Sequence, residues 1–550
     1  MDRRDVVARL TGEGGPFEVV PGEVGGRPMA LWAKAPATLR DLLLGTARHA
    51  DRDYLVYGDE RLTFAQHLEL VAGLAGWLAT ERGIGQGDRV AIGMRNYPEF
   101  VATFWATQVL GAVAVPLNAW WTEPELRYAL DDSGASLAVL DGERYERLPG
   151  VPAVVTRHDG PLGAGAVAWA DVVASLDPAA AMPDVAIDPD DDATIVYTSG
   201  TTGEPKGAVG SHRNHTSTFF NTAFAGALGA ALSPPSDGPR PPQCSLMTYP
   251  FFHIGGLNTL YIQTGFGVKM VLQYKWDLEE ALALVERERV TSLAAVPTLL
   301  RQVLESPLLE EYDVSSLGTL ASGGAPVPPD LVDRIDSKFA SKVSPSNGYG
   351  LTETTGAVTL NFGRAYVGRS TSVGEPFPVT EVRVVDPDTG ADVPAGEVGE
   401  LWFAGPTVSR GYWGKPDATA AAFSDGWFHT GDLGFVDGDG FVSVVDRLKD
   451  VIIRGGENVY CAEIEAVLFE HPAVADVAVV GVPHESLGEE VAAVVVLHDG
   501  EVPTAADLQA HVAGRLAYFK VPAHVVFRTE PLPRNATGKV LKRELRTLPR

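Results

Sequence analysis

The sequence predicts an α/β protein of more than one domain. Two observations carry this: β-branched runs alternate with helical periodicity along much of the chain, and 550 residues exceed what one hydrophobic core organises. A third is a change of texture between Val373 and Gly411, where short strands separated by turns predict an antiparallel, barrel-like subdomain.

Taken in order, Leu62 to Thr80 reads as an amphipathic helix, Arg89 to Gly93 as a strand, Pro98 to Leu110 as a helix and Ala112 to Leu117 as a strand. The pattern recurs with a helix over Asp277 to Arg287, a strand over Thr291 to Val296, and Pro297 placed to open a new helix. Such strand–helix–strand units imply parallel sheets covered by helices. Ser233 to Pro242, rich in Pro and Gly, reads as an exposed loop. In the barrel-like region Val382–Val385 and Gly399–Phe403 are strands around a turn at Asp388-Thr389-Gly390. After Asp446 the α/β texture returns, with a helix over Glu463 to Glu470 and strands over Val474 to Val482 and Val491 to Leu497. The boundary of a small C-terminal α/β domain is placed near Arg447 to Asp450, giving domains 1–448 and 449–550.

Hydrophobic residues at 45% and charged residues at 21% are ordinary for a folded soluble protein and argue against disorder. The net charge of −27 disfavours non-specific contact with nucleic acid or anionic membranes. It leaves nucleotides open, because a local nest of N–H groups and one Lys holds phosphate on an acidic protein. Cys244 and Cys461 support neither a disulfide framework nor a Cys-based metal site, and a reducing cytoplasm is the simplest compartment. Val101 to Trp121 is the most apolar long stretch, but Thr103, Thr107, Gln108, Pro116 and Asn118 interrupt it. It reads as a buried helix and strand, with no integral membrane segment expected.

The strongest local signal is Thr194-Ile195-Val196-Tyr197-Thr198-Ser199-Gly200-Thr201-Thr202-Gly203-Glu204-Pro205-Lys206-Gly207. A buried strand runs into hydroxyls and glycines ending in one Lys. Glycines let successive N–H groups approach an anion, hydroxyls add donors and Lys206 adds charge. The spacing is not that of a P-loop, since Gly207 follows Lys206.

This string resembles the phosphate-binding signature of the adenylate-forming superfamily, which includes acyl-CoA synthetases, and further motifs follow in the same order. Asn347-Gly348-Tyr349-Gly350-Leu351-Thr352-Glu353-Thr354 resembles the second core motif. The resemblance implies an adenine face at Tyr349 beside Gly350, an α-phosphate hydroxyl at Thr352 and a Mg²⁺ carboxylate at Glu353, a hard oxygen ligand suited to that cation. Gly323, Gly324 and Ala325 lie in the segment resembling the loop against which adenine packs. Trp427-Phe428-His429-Thr430-Gly431-Asp432 resembles the segment whose acid holds the ribose hydroxyls. Read for itself, Gly431-Asp432 is a turn. Asp446-Arg447-Leu448-Lys449-Asp450 resembles the hinge motif, implying ribose contact by Arg447 and a pivot at Lys449. Pro533-Arg534-Asn535-Ala536-Thr537-Gly538-Lys539 resembles the last motif, whose Lys, here Lys539, serves adenylation. A mobile cation there offsets the negative charge gathered when a carboxylate attacks a triphosphate.

The matching motifs extend from about Leu62 to Lys539 and imply a large N-terminal domain with two helix-covered β-sheets and a β-barrel-like subdomain, followed by a small mobile C-terminal α/β domain. Gly455 and Gly456 in Arg454–Asn458 resemble the loop that lines a pantetheine channel in acyl-CoA synthetases. Tyr249–Leu257 takes the acyl-recognition position; it has no acid to pair with an ammonium group, and its His253 suits a carboxylate partner or a gate. The residues after Glu353 (Thr354, Thr355, Gly356, Ala357, Val358) are small or apolar. The expected activity is therefore ATP-dependent ligation of a carboxylic acid, a medium- or long-chain fatty acid above others, to coenzyme A through an acyl-adenylate. A fatty acyl- or aryl-adenylating enzyme that loads a carrier protein is the alternative. The expected partners are the acid, ATP with Mg²⁺, and coenzyme A, with no nucleic acid; a homodimer is a compatible assembly.

Overall fold

Two large, mostly parallel sheets share one core in the computed structural model, which describes residues 3–198, 204–233, 242–340, 342–535 and 538–546. The seven-stranded sheet runs from Lys206–Ser211 through Asp192–Thr198, Val113–Pro116 and Arg89–Gly93 to Leu137–Asp141, Ala153–Thr156 and Val167–Ala168. The nine-stranded sheet has Cys244–Met247 and Ser292–Ala295 near its centre and continues through Thr319–Gly323 to Ser344–Leu351 and Gly356–Phe362. Parallel strands at the centre and antiparallel ones at the edges explain the sequence texture: central strands are apolar on both faces, edge strands are not.

The helices Phe64–Arg82 and Pro98–Val109 pack in a core to which both sheets contribute. Every residue of Pro98–Val109 is buried, and Phe100, Phe104 and Trp105 have no exposed surface. Each such side chain contributes about 2–3 kcal/mol by leaving water. That burial on all sides, and not membrane insertion, accounts for the apolar stretch after Val101. Among the described residues no helix is long and apolar enough to cross a membrane.

The expected elements fall within a few residues of the observed ones. Leu62 lies in the strand Glu60–Thr63, so the helix starts at Phe64, capped reciprocally by Thr63 and Gln66. The strand predicted over Val491 to Leu497 begins earlier, at Gly488, because it pairs with Val474–His484 along ten residue pairs. The N-terminal hairpin Val19–Val24 with Arg27–Trp32 had no sequence counterpart. Most of the loop expected over 233–242 lies outside the described residues.

Beyond the two sheets, Glu381–Val385, Gly399–Ala404, Trp427–Val436, Phe423–Ser424 and Val442–Arg447 form a five-stranded antiparallel sheet, in accord with the barrel-like texture. Gly431-Asp432 is not the turn its residues suggested. Both lie within the strand Trp427–Val436, where Gly431 takes φ +66°, a left-handed conformation that only glycine adopts without strain, and Asp432 turns inward to 2% exposure. The chain then passes through the short turn Leu448–Asp450 into a five-stranded C-terminal sheet, packed with the helices Cys461–Phe469 and Ala505–Ala513. Cys244 and Cys461 are free and buried; burial pushes the Cys244 thiol up to about 12 and the Cys461 thiol up as well. Cys461 Sγ donates to the Asp450 carbonyl at 3.1 Å.

Candidate active site

Asp432 is gripped from both sides. Tyr349 Oη donates to Asp432 Oδ2 at 2.6 Å, and Arg447 Nε lies 2.6 Å from Asp432 Oδ1. The two strands carrying the charged pair place it, for Asp432 and Arg447 are direct partners in the register of Trp427–Val436 with Val442–Arg447. Burial, reinforced by the Asp432 anion, keeps the Tyr349 phenol protonated and donating. From the far end of the chain Lys539 comes within electrostatic range of the same pair. Burial lowers it to about 8, with Arg447 pushing in the same direction and Asp432 opposing. A side chain at Gly538 would stand 3.3 Å from Val296 Cγ2, so the Lys539 segment lies against the nine-stranded-sheet region.

A bulge between Tyr349 and Gly350 lets the strand Ser344–Leu351 turn into the short 3₁₀ turn Thr352–Thr354. Gly350 is required there, since a Cβ would overlap the Gly356 carbonyl. The turn buries Glu353, whose Oε1 accepts from Tyr412 Oη at 2.7 Å and whose carbonyl accepts from Ser409 N at 2.8 Å. The Thr352 hydroxyl is partly exposed and makes no hydrogen bond among the described residues. Thr355 is held left-handed, at φ +51°, by Asn258 Nδ2 and Thr218 Oγ1, each donating to its carbonyl at 3.1 Å.

Thr198 ends the strand leading into the phosphate string and pairs across the hairpin with Lys206, whose carbonyl accepts from Thr198 Oγ1 at 3.3 Å. Ser199, Gly200, Thr201 and Thr202 lie outside the described residues. Lys206 Nζ sits 5.2 Å from the Tyr412 ring centroid, within cation–π range. Tyr412, Asn258 and Thr218 were missed by sequence reasoning. Asn258 and Thr218 act through a backbone carbonyl that no pattern reveals; Tyr412 had a detectable signal, an aromatic in a Gly-Tyr-Trp-Gly run.

His253 caps the helix Ile254–Phe266, its Nδ1 accepting from Gly255 N at 3.2 Å. Burial lowers its pKa to about 4, so the ring is neutral at pH 7 with its proton on Nε2. Gly323 and Gly324 lie beside Tyr249, which donates to the Gly323 carbonyl at 3.0 Å, and Ala325 follows them. Asn96 clamps this loop, donating to Tyr249 O at 2.9 Å and accepting from Phe251 N at 2.8 Å. Lys449 is exposed in the turn Leu448–Asp450. Gly455 and Gly456 are exposed on the C-terminal sheet, where Gly455 N donates to Leu487 O at 2.8 Å, and the structure does not bring them to the Asp432 group.

The AMP-binding enzyme model matches residues 45–413, and that for the AMP-binding enzyme C-terminal domain matches 463–539. The chain belongs to the AMP-binding enzyme family. As an AMP-binding enzyme it is an acid–thiol ligase of the AMP-forming, acyl-CoA synthetase class. It is 41% identical to a feruloyl-CoA synthase of Amycolatopsis over 89% of this chain and 94% of that one. It is 36% identical to a long-chain-fatty-acid–CoA ligase of Mycobacterium tuberculosis, over 89% and 93%. Among solved structures, ATP-bound MatB from Rhodopseudomonas palustris is similar with a TM-score of 0.81 and 32% identity, covering 93% and 98% of the two chains. The two-sheet architecture that the resemblance implied is thus that of the AMP-binding enzymes.

Proposed function

We propose that the chain is an ATP-dependent carboxylic acid–CoA ligase working through an acyl-adenylate, with one acid-activating arrangement and one thiol-accepting arrangement. The observation that carries this reading is the approach of Lys539 to within electrostatic range of the Asp432–Arg447 pair, because it brings a cation from the C-terminal part to a carboxylate suited to accept from two adjacent ribose hydroxyls. Asp432 accepts from the ribose, Tyr349 supplies an aromatic face to adenine, and Thr352, Thr198 and Lys206 meet the phosphates. Lys539 stabilises the charge that develops as the carboxylate attacks the α-phosphate and pyrophosphate leaves. Glu353 fits a Mg²⁺ that arrives with ATP: such an ion takes one or two carboxylates plus phosphate oxygens, and Oε2 of Glu353 makes no hydrogen bond among the described residues. Rotation about Lys449 then withdraws Lys539 and brings Gly455 and Gly456 to the site for attack by the coenzyme A thiol. The domain division 1–448 and 449–550 follows from that pivot.

The acid in this reading is apolar apart from its carboxylate. Gly255 stands beside the His253 and Tyr249 rings, Gly324 beside the Tyr249 ring, and the Gly323 carbonyl accepts from Tyr249 Oη. The first reading is a planar aryl-propenoic acid, the acid type of the relative that is 41% identical. A medium- or long-chain fatty acid is the second reading, supported by the relative named for long-chain fatty acids. The neutral His253 offers its Nε2–H to the carboxylate.

Pyrophosphate release from purified protein with ATP and Mg²⁺, over a series of cinnamic and fatty acids with and without coenzyme A, tests both parts. Sustained turnover that requires an acid and coenzyme A supports the ligase. A single burst indifferent to coenzyme A overturns the thiol acceptor and points to a carrier protein.

A further inference from the structure

Lys206 and Glu353 belong to two separate motifs, carry opposite charges and, in the reading above, must reach the same triphosphate. Opposite charges of this kind tend to pair with each other, yet no ion pair joins them. Tyr412 stands between. Its hydroxyl is bound to Glu353 Oε1 at 2.7 Å, while Lys206 Nζ lies 5.2 Å from its ring centroid.

The residue is anchored well enough to hold such a position. Tyr412 N donates to Thr419 Oγ1 at 2.9 Å, and Trp413 N donates to Gly207 O at 2.8 Å. One residue earlier, Val209 N donates to Gly411 O at 3.0 Å. Upstream, Asn214 Nδ2 reaches the Pro406 and Val408 carbonyls at 2.8 and 3.1 Å. The stretch 406–413 therefore stitches the hairpin strand Lys206–Ser211 to the Glu353 turn, with Tyr412 the side chain that touches both charges. Burial and the Glu353 carboxylate both hold the phenol protonated, so it donates throughout the neutral range.

We propose that Tyr412 is a positioning residue of the ATP site, a spacer that keeps Lys206 and Glu353 apart and poised. Its hydroxyl occupies one carboxylate oxygen of Glu353 and leaves the other for the cation; its ring face carries the Lys206 ammonium without neutralising it. The inference rests on the ATP-site reading but concerns a residue that reading does not use.

The test is equilibrium binding of ATP by calorimetry, once in EDTA and once with Mg²⁺, on wild type, Tyr412→Phe, Tyr412→Leu, Glu353→Gln and the Tyr412→Leu/Glu353→Gln double variant. Tyr412→Phe keeps the spacer ring, so metal-free affinity stays within about twofold of wild type while the gain on adding Mg²⁺ shrinks. Tyr412→Leu lets Lys206 fall onto Glu353, and metal-free affinity drops about tenfold, the scale of one charge-assisted contact. Neutralising Glu353 in that background frees Lys206 and restores most of the loss, a coupling that only a double-variant cycle isolates. If Glu353→Gln restores nothing in the Tyr412→Leu background, or if Tyr412→Phe loses metal-free binding as Tyr412→Leu does, the spacer is refuted. Should Tyr412→Leu fail to fold, the Mg²⁺ response of Tyr412→Phe decides: an undiminished gain overturns the proposal. A wild-type chain that binds no ATP in either buffer overturns the functional reading itself, which separates the two failures.

Discussion

Tyr349 donates to Asp432 at 2.6 Å although 83 residues separate them, tying the nine-stranded sheet to the antiparallel one by a hydrogen bond. Removing the hydroxyl leaves a buried carboxylate short of one donor. Tyr349→Phe is therefore expected to weaken ATP binding by about ten- to hundredfold, the usual range for a hydrogen bond to a charged group. The ratio of KM for ATP to that for the acid measures it: a rise confined to ATP is the expected outcome.

Lys539 is held at about 8 against an ordinary 10.5. It is charged below that value and neutral above it, so kcat/KM for acyl-adenylate formation should fall above pH about 8. The folded state binds fewer protons than the unfolded one between about 8 and 10.5, so folding gains stability as pH rises through that window. The alkaline loss is then catalytic, and a Tm series that falls over the same window would argue otherwise. Lys539→Ala should abolish adenylation yet spare thioester formation from supplied acyl-adenylate.

Arg301 lies 5.2 Å from the Phe469 ring centroid and is fixed by its Nη2, which donates to both Asp330 carboxylate oxygens at 3.0 and 3.1 Å. The contact spans the N-terminal part and the C-terminal sheet's helix in the arrangement that presents Lys539. Phe469→Ala is expected to slow the adenylation half-reaction about three- to tenfold, a cation–π contact of this burial being worth about 1 kcal/mol. Thioesterification of supplied adenylate should not change; equal loss of both would show that Phe469 serves folding alone.

Four histidines are held neutral by burial, His67 and His215 at about 3 and His212 and His253 at about 4. The unfolded chain binds protons at these sites up to pH 6.5, so stability should decline as pH falls from 6.5 towards 4. Urea midpoints over that range check the sign. His253→Ala removes a helix cap at a cost of about 1 kcal/mol, which Asn at the same position restores.

Gly350→Ala would drive a methyl group into the Gly356 carbonyl. The expected loss is about 2 kcal/mol or more, since backbone on both sides cannot move independently. A urea midpoint unchanged from wild type would refute the overlap.

The sequence reveals elements whose fate is local. Arg89–Gly93 is a strand and Pro98–Val109 a helix because periodicity and a Pro at the first helical position specify them without help from elsewhere. Asp432 is legible in type but not in conformation: Gly431-Asp432 has the composition of a turn, and only pairing with Arg447 and Glu400 across the sheet keeps it in a strand. Tyr412 is legible as an aromatic in its Gly-Tyr-Trp-Gly run but not in its partners, for a related reason. Its two partners lie 59 and 206 positions away from it, counting from Glu353 and back to Lys206 (412 − 206), so no short window contains the relation. The motifs name groups proposed to meet a ligand, while the groups that hold those in place reveal themselves only in three dimensions.

The two buried thiols have a practical consequence. With Cys244 raised to about 12 and Cys461 raised further by burial, both remain protonated and inert to maleimide at neutral pH. A fluorophore pair can therefore be introduced through two new surface cysteines, one on each side of Leu448–Asp450, with the native thiols left untouched. The chain is in this sense already prepared for single-molecule distance recording, in which a change of arrangement between half-reactions would appear directly as a jump in transfer efficiency.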